Sequence, residues 1–197
     1  MTKKINSFKI YVAKISDYCN NDILPSYTKL EIKRLTNEKI IQQKRATYGL
    51  LRKIIFDNYG IDEDFQDFYK KDGKPFCKKF CFSISHSHHL VAIAISDNDV
   101  GIDIEKIDFT KNYIKIAKFI ATEKELKLCK DIQSVTKLWT QKEAIFKLGS
   151  NKLFIHKDIE TSNHATKSYQ INCNNDKYCL TIAYNKKAKI ELFNYVN

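Results

Sequence analysis

No stretch of the 197 residues approaches the ~18 consecutive apolar residues of a membrane span, and Met1 to Ser7 lacks the long apolar core of a signal peptide. The expected location is therefore the cytoplasm. Glycine and proline are scarce, at five and two residues, and no segment reads as a flexible linker or repeats another. The chain should form one large domain or two small, closely joined ones, long enough to bury a real core. No CxxC pair occurs among Cys19, Cys77, Cys81, Cys129, Cys173 and Cys179. A cytosolic chain of this size has no need of a disulfide framework, so reduced thiols are expected. One spacing invites a metal, Cys77-x3-Cys81 followed by His86, His88 and His89. Alternation through Phe80-Cys81-Phe82-Ser83-Ile84 would bury Cys81 or turn it from its neighbours, which argues against zinc. Helix-turn-helix, zinc-finger and RNP-like signatures are also missing, so charge alone does not make the chain a nucleic-acid binder.

What is present is an ordinary globular composition, 43% hydrophobic and 29% charged, with a formal net charge of +11. The excess is spread along the chain rather than gathered in a tail. It draws anionic partners of any kind, and a lysine-rich solvated surface accounts for most of it.

The first element reads as a strand, Phe8 to Ala13, rich in β-branched and aromatic residues. After Pro25-Ser26 the pattern turns helical. Apolar residues from Asn37 to Tyr59 recur at helical spacing and Gly60 follows at a plausible end, giving a long helix that packs on a sheet. Lys44, Arg45, Arg52 and Lys53 read as its wet face, with Arg45 in reach of a phosphate. Asp72-Gly73 and Pro75 mark a tight, extended turn. Three β segments follow, Phe80 to Ile84, Leu90 to Ile95 and Val100 to Ile104, with Ser96 to Asp99 turning between the last two. His88 and His89 read as loop residues between the first two, whereas Ser85-His86 suits a phosphate contact through a hydroxyl donor and a cationic ring.

Beyond Glu105 the chain is mainly helical. Thr122-Glu123-Lys124-Glu125 has the form of a capping box. A helix carrying Trp139 to Lys147 should begin near Ser134 and end at Gly149 as its C′ glycine. Ser168 to Cys173 and Tyr178 to Tyr184 form a predicted hairpin about Asn174 to Lys177, and Ile190 to Tyr195 a last strand.

The chemistry concentrates between Val100 and Lys147. In Gly101-Ile102-Asp103-Ile104-Glu105 the period of two reads as a half-buried strand with both carboxylates on its other face. In Trp139-Thr140-Gln141-Lys142-Glu143-Ala144-Ile145-Phe146-Lys147, Glu143 and Lys147 lie one turn apart on one helix face, with Trp139 a further turn back. Two oxygen ligands on a strand and a third acid beside a lysine on a helix suit a hard divalent cation holding a phosphate. Singly, each of these residues has a plain reading, as an exposed strand face, an i,i+4 pair or a core tryptophan. Their joint occurrence is what points to a site.

Gly73-Lys74-Pro75, Phe82-Ser83-Ile84-Ser85-His86-Ser87, Gly101-Ile102-Asp103-Ile104-Glu105 and Trp139-x-x-Lys142-Glu143-Ala144-x-x-Lys147 stand in the order and at about the separations found in Sfp-type phosphopantetheinyl transferases. The sequence resembles that family from Gly73 to Gly149, and the holo-acyl-carrier-protein synthase superfamily to which it belongs. The resemblance implies an α+β fold, a pseudo-dimer of two similar α+β halves, each with a small, mainly antiparallel sheet packed by helices. The halves would be residues 1–100 and 101–197, the second carrying the metal site. It further implies a single-chain enzyme acting as a monomer.

By the same resemblance the enzyme would move the phosphopantetheine arm of coenzyme A onto a serine of an acyl or peptidyl carrier protein and release adenosine 3′,5′-bisphosphate. Asp103, Glu105 and Glu143 would hold Mg²⁺, an oxygen-rich site that admits Mn²⁺ as well. Lys147 would stabilise developing charge, and Glu143, directly or through a metal-held water, would take the serine proton. Lys74, Ser85, His86 and Arg45, with Lys147, would bind the phosphates and nucleotide of coenzyme A. The carrier is expected to be acidic and steered by the basic surface. A non-catalytic coenzyme A or carrier-binding module is the alternative, and a basic nucleic-acid-binding protein the more distant one.

Overall fold

A computed structural model describes residues 7–71, 73–149, 155–185 and 189–196. In chain order the elements are β1 (Ser7–Lys14), α1 (Ser26–Ile32), α2 (Glu38–Tyr59), β2 (Phe68–Lys71), β3 (Lys74–Cys77), β4 (Cys81–Ser87), β5 (Leu90–Ser96) and β6 (Val100–Lys106). Then follow α3 (Tyr113–Ile120), α4 (Glu123–Leu126), α5 (Ile132–Leu148), β7 (Ala165–Cys173), β8 (Asp176–Tyr184) and β9 (Lys189–Asn194). The fold class is α+β, as expected.

Each helix boundary has a local cause. Asn37 accepts hydrogen bonds from the Lys39 and Ile40 amides at 3.0 and 3.4 Å and so caps α2, and Gly60 ends it in the left-handed region at φ 69°. The capping box at Thr122 and Glu125 is present, opening α4. The start of α5 is earlier than expected: Asp131 is the cap and Ser134 answers it from the third helical position. Its end also differs. Gly149 lies at φ −80° and ψ 167°, an extended conformation open to any residue, so it is not the left-handed C′ glycine the sequence suggested.

Four strands form one sheet in the order β4-β5-β1-β9 and three form another in the order β6-β8-β7, with β2 and β3 as a separate hairpin. All pairings are antiparallel except β1 with β9. The last strand thus returns to pair with the first. Asp72, half of the expected turn, lies outside the described residues, and Gly73 beside it takes φ 80°.

The two sheets stack face to face and each carries one long helix on its outer side. Ala46, Leu50, Leu51, Ile54 and Ile55 of α2 pack with Tyr11, Ala13, Val91, Ile93 and Ile95. The alternate residues of those strands, Ile10, Val12, Leu90, Ala92 and Ala94, meet Ile102, Ile104, Leu180 and Ile182 of the second sheet. Since β5 is covered on both faces, all its residues are buried and its apolar run is continuous. Period two then decides the active face. Ile102 and Ile104 turn inward, which leaves Gly101, Asp103 and Glu105 facing α5.

Candidate active site

The junction of β6 and α5 is built on Gly101. A Cβ placed there would stand 1.9 Å from the Ala144 carbonyl oxygen and 2.6 Å from the Leu148 nitrogen, so the helix backbone lies directly on the strand. Glu143 and Lys147, each one residue before those contact points, are thereby carried to the acidic face of β6. Lys147 Nζ donates to Asp103 Oδ1 at 2.7 Å. Glu143 therefore does not hold Lys147 as an i,i+4 partner; the lysine reaches across to the strand instead.

Asp103 is 3% exposed, and its Oδ1 also accepts from the Ser85 hydroxyl at 2.7 Å. Its Oδ2 is buried and, among the described residues, has no hydrogen-bond partner. Glu105 Oε2 accepts from the Ser87 hydroxyl at 2.8 Å. Burial, and then the charge of Asp103, raises the pKa of Glu105. Glu143 is half-buried and is raised for the same reasons, with Glu105 adding to the repulsion and Lys147 opposing it. Three carboxylates thus share one field.

That donor set fits a hard divalent cation: it is all oxygen, its members repel one another, and one buried oxygen lacks a partner. It is not a preformed cage, since no group of three His, Cys, Asp or Glu among the described residues converges tightly enough.

On the β4 side of the acids lies a basic neighbourhood. Ser85, His86 and Ser87 belong to the strand itself, and only His88 and His89 form the turn, His88 at φ 52°. His86 is on the exposed rim, and its pKa is lowered, first by the protein displacing water around the ring and then by the charges of Lys147 and Lys44. The ring is therefore less readily cationic than the sequence reading assumed. Lys74 Nζ donates to the carbonyls of Gly149 at 2.5 Å and Phe146 at 3.3 Å, at the carbonyl end of α5, and partial burial and Lys147 lower its pKa. Arg45 does not join this group; it pairs with Asp22 at 3.3 Å. The basic residue of α2 that His86 feels is Lys44, also bound to Glu31 at 2.7 Å. Sequence offered no signal for preferring it to its neighbour.

Residues 99–194, which hold β6, α5 and the acids, match the family model of the 4'-phosphopantetheinyl transferase superfamily. This segment belongs to that superfamily. A relative named 4'-phosphopantetheinyl transferase gsp, from Aneurinibacillus migulanus, is 35% identical over 114 residues, covering 54% of this chain and 47% of that protein. The chain therefore spans about half the length of the curated relative it matches.

Sequence reasoning missed one feature of the superfamily segment. Lys142 is wholly buried, and its Nζ meets Glu125 Oε2 at 2.7 Å and the carbonyls of His156 at 2.8 Å and Ile159 at 2.5 Å. Glu125 also accepts from the amides of Thr122 and Thr161 and the Thr161 hydroxyl. Burial alone would raise the Glu125 carboxyl, but these donors, Lys142 foremost, pull it down to about 2. The pair ties α5 to α4 and to the segment that carries His156, whose ring lies 4.6 Å from Trp139. A groove of about 380 Å³ opens beside Glu105, with Lys106, Asp108 and Lys111 at its charged side and Ile116, Ile132, Val135, Thr136 and Trp139 at its less polar one. A larger one, about 510 Å³, lies by Gly49 and Phe56, where Arg52 pairs with Asp62 and Lys53 with Asp57; none of the site acids lines it.

Proposed function

We propose that this chain transfers the 4′-phosphopantetheine group of coenzyme A to a serine hydroxyl of an acyl or peptidyl carrier protein, releasing adenosine 3′,5′-bisphosphate. The observation that carries the reading is Asp103. One of its oxygens holds Lys147 and Ser85, and the other is buried, without a hydrogen-bond partner among the described residues, beside two carboxylates that repel it. Such an arrangement is costly unless it serves a cation. The superfamily match and the name of the relative support the reaction class.

Asp103, Glu105 and Glu143 would hold the divalent cation, Mg²⁺ or Mn²⁺. Bound there, it supplies Lewis-acid charge to the pyrophosphate of coenzyme A. The serine oxygen bonds to the phosphorus bearing the pantetheine arm while that phosphorus loses its bond to the bridging oxygen, and the bisphosphate leaves. Glu143 accepts the serine proton, directly or through a water. Without the cation, burial and the charge of Asp103 raise its proton affinity; a bound cation opposes that, which favours the route through a water. Lys147, already on Asp103, stabilises charge on the phosphate oxygens. The 3′-phosphate would lie among His86, Lys74 and Lys44: Lys44 and Lys147 both act on His86, and Lys147 acts on Lys74. Ser85 can join them only if its hydroxyl turns away from Asp103, whereas Arg45 engages one guanidinium nitrogen with Asp22 and keeps other donors. The groove beside Glu105, part charged and part apolar, would take the pantetheine arm.

The test is the intact mass of an apo carrier incubated with this protein and coenzyme A, with Mg²⁺ or with EDTA. A gain of one phosphopantetheine that depends on the metal is expected. A folded sample that binds coenzyme A but modifies neither fatty-acid nor peptide-synthetase carriers would overturn the transfer and favour a non-catalytic binding module.

A further inference from the structure

Ser83, Ser85 and Ser87 occupy every second position of β4 and all three are buried on its side toward β6. One edge of β6 is paired with β8, so the amides on its other edge need partners from elsewhere. Ser83 and Ser87 supply two of them. The Ile102 amide donates to Ser83 Oγ at 3.1 Å and the Lys106 amide to Ser87 Oγ at 3.0 Å. A backbone role alone would be complete at that point. Yet the Ser87 hydroxyl also donates a hydrogen bond to Glu105 Oε2 at 2.8 Å, and the Ser85 hydroxyl donates one to Asp103 Oδ1 at 2.7 Å.

A carboxylate held at one oxygen by a fixed donor has lost most of its freedom to rotate, and its second oxygen is aimed. We propose that Ser85 and Ser87 are positioning residues that select which oxygen each acid offers to the cation, Oδ2 of Asp103 and Oε1 of Glu105. The proposal rests on the reading of these acids as the cation site. It also gives Ser85 a different duty from the phosphate contact suggested by its sequence position: a hydroxyl has one proton, and here Asp103 takes it. Ser83, whose side-chain hydrogen bond among the described residues is with the Ile102 amide of β6, provides an internal comparison, because its loss weakens the same seam without freeing a carboxylate.

The experiment is titration of the full chain with Mn²⁺ alone, the free ion being followed by electron paramagnetic resonance, for the wild type and for Ser83→Ala, Ser85→Ala, Ser87→Ala and Ser87→Thr. Thermal melts of the metal-free proteins run alongside. Loss of a group that orients a ligand should weaken Mn²⁺ binding by about 10- to 100-fold in Ser85→Ala and Ser87→Ala. Ser87→Thr, which keeps the hydroxyl and suits a strand, should restore it. Ser83→Ala should melt earlier yet bind Mn²⁺ as the wild type does. Wild-type affinity in both the Ser85 and Ser87 alanine variants, or an equal loss in Ser83→Ala, would overturn the positioning role while leaving the cation site standing. A wild-type protein that binds no Mn²⁺ would remove the cation reading itself, and the positioning role with it.

Discussion

Gly101→Ala tests the geometry on which the site depends. The added Cβ would meet the Ala144 carbonyl oxygen at 1.9 Å, and ordinary contact begins at 3.4 Å, so the two chains must separate by about 1.5 Å. The opposing atoms are helix backbone, and no side-chain rotation relieves the clash. If α5 lifts by that amount, Lys147 Nζ moves from 2.7 Å to roughly 4 Å from Asp103 Oδ1, beyond hydrogen-bond reach. Overpacking usually costs about 1–3 kcal/mol, and a backbone-to-backbone clash belongs at the upper end. For a chain of this size that is a fall in Tm of roughly 6–12 °C. Misplacing the reacting groups by ~1 Å can cost ~10²-fold in rate, so transfer should fall at least that far even in molecules that remain folded. Calorimetry gives the first quantity and intact-mass kinetics with an apo carrier the second. Gly60→Ala is the control, since that glycine has open space around it and a φ of 69°; it should cost about 1 kcal/mol and leave transfer unchanged. A Gly101→Ala protein melting within about 2 °C of the wild type and transferring at a normal rate would mean that α5 does not lie on β6 as described.

The remaining acids and their partners should respond differently to loss of charge. Asp103→Ala should abolish transfer but change the stability of the metal-free protein by no more than about 1 kcal/mol, read from denaturant melts, because the lost bonds to Lys147 and Ser85 are offset by relief of repulsion on Glu105 and Glu143. Glu143→Gln should abolish transfer yet raise the Tm of the metal-free protein at neutral pH. A carboxyl whose folded pKa is raised opposes folding once it ionises, so the stability difference should shrink as pH falls toward the ordinary carboxylate range. Lys142→Met leaves the Glu125 charge buried and should cost about 3–5 kcal/mol; conversely, the stability Glu125 contributes in the wild type should be lost as pH falls from about 4.5 to about 2, visible in acid-denaturation curves. With an acidic carrier the second-order rate should fall as salt is raised, and a rate indifferent to ionic strength would remove charge steering.

Local signals proved dependable where one residue type has one physical job. Asn37 and Gly60 bound α2 because an amide acceptor and a left-handed carbonyl end are needed there, and Thr122 with Glu125 satisfies two amides reciprocally. The turn of the last hairpin was legible as a region, although Cys173 opposite Asp176 makes Asn174 and Asn175 its two central residues. Pairing over long distances was not legible. Nothing in the alternation of residues 189–194 tells that β9 will lie parallel to β1 at the other end of the chain, because any strand edge offers the same amides and carbonyls. Gly149 misled for the opposite reason: a glycine after a helix usually supplies a left-handed φ, and here Gly149 itself is extended while Lys74 satisfies the carbonyls of Phe146 and Gly149.

At the site, sequence separated faces but not partners. A period of two was enough to place Asp103 and Glu105 on one side of β6, since burying Ile102 and Ile104 leaves no other arrangement. The helix spacing likewise put Glu143 and Lys147 on one side of α5, but proximity within a helix does not decide which acid a lysine chooses. Asp103, held almost out of water, competes better for Nζ than a carboxylate reached along the same helix surface. Adjacent helix positions point about 100° apart, so a basic run can be recognised without knowing which member faces inward. This is why Lys44 rather than Arg45 meets the field of His86, and why Lys142, beside Glu143, is wholly buried in a different network. The serines were hardest to foresee. Their alternation is visible in Ser83-x-Ser85-x-Ser87, yet its meaning depends on β6 arriving alongside with a free edge and two carboxylates in register, which only the stacking of the two sheets supplies.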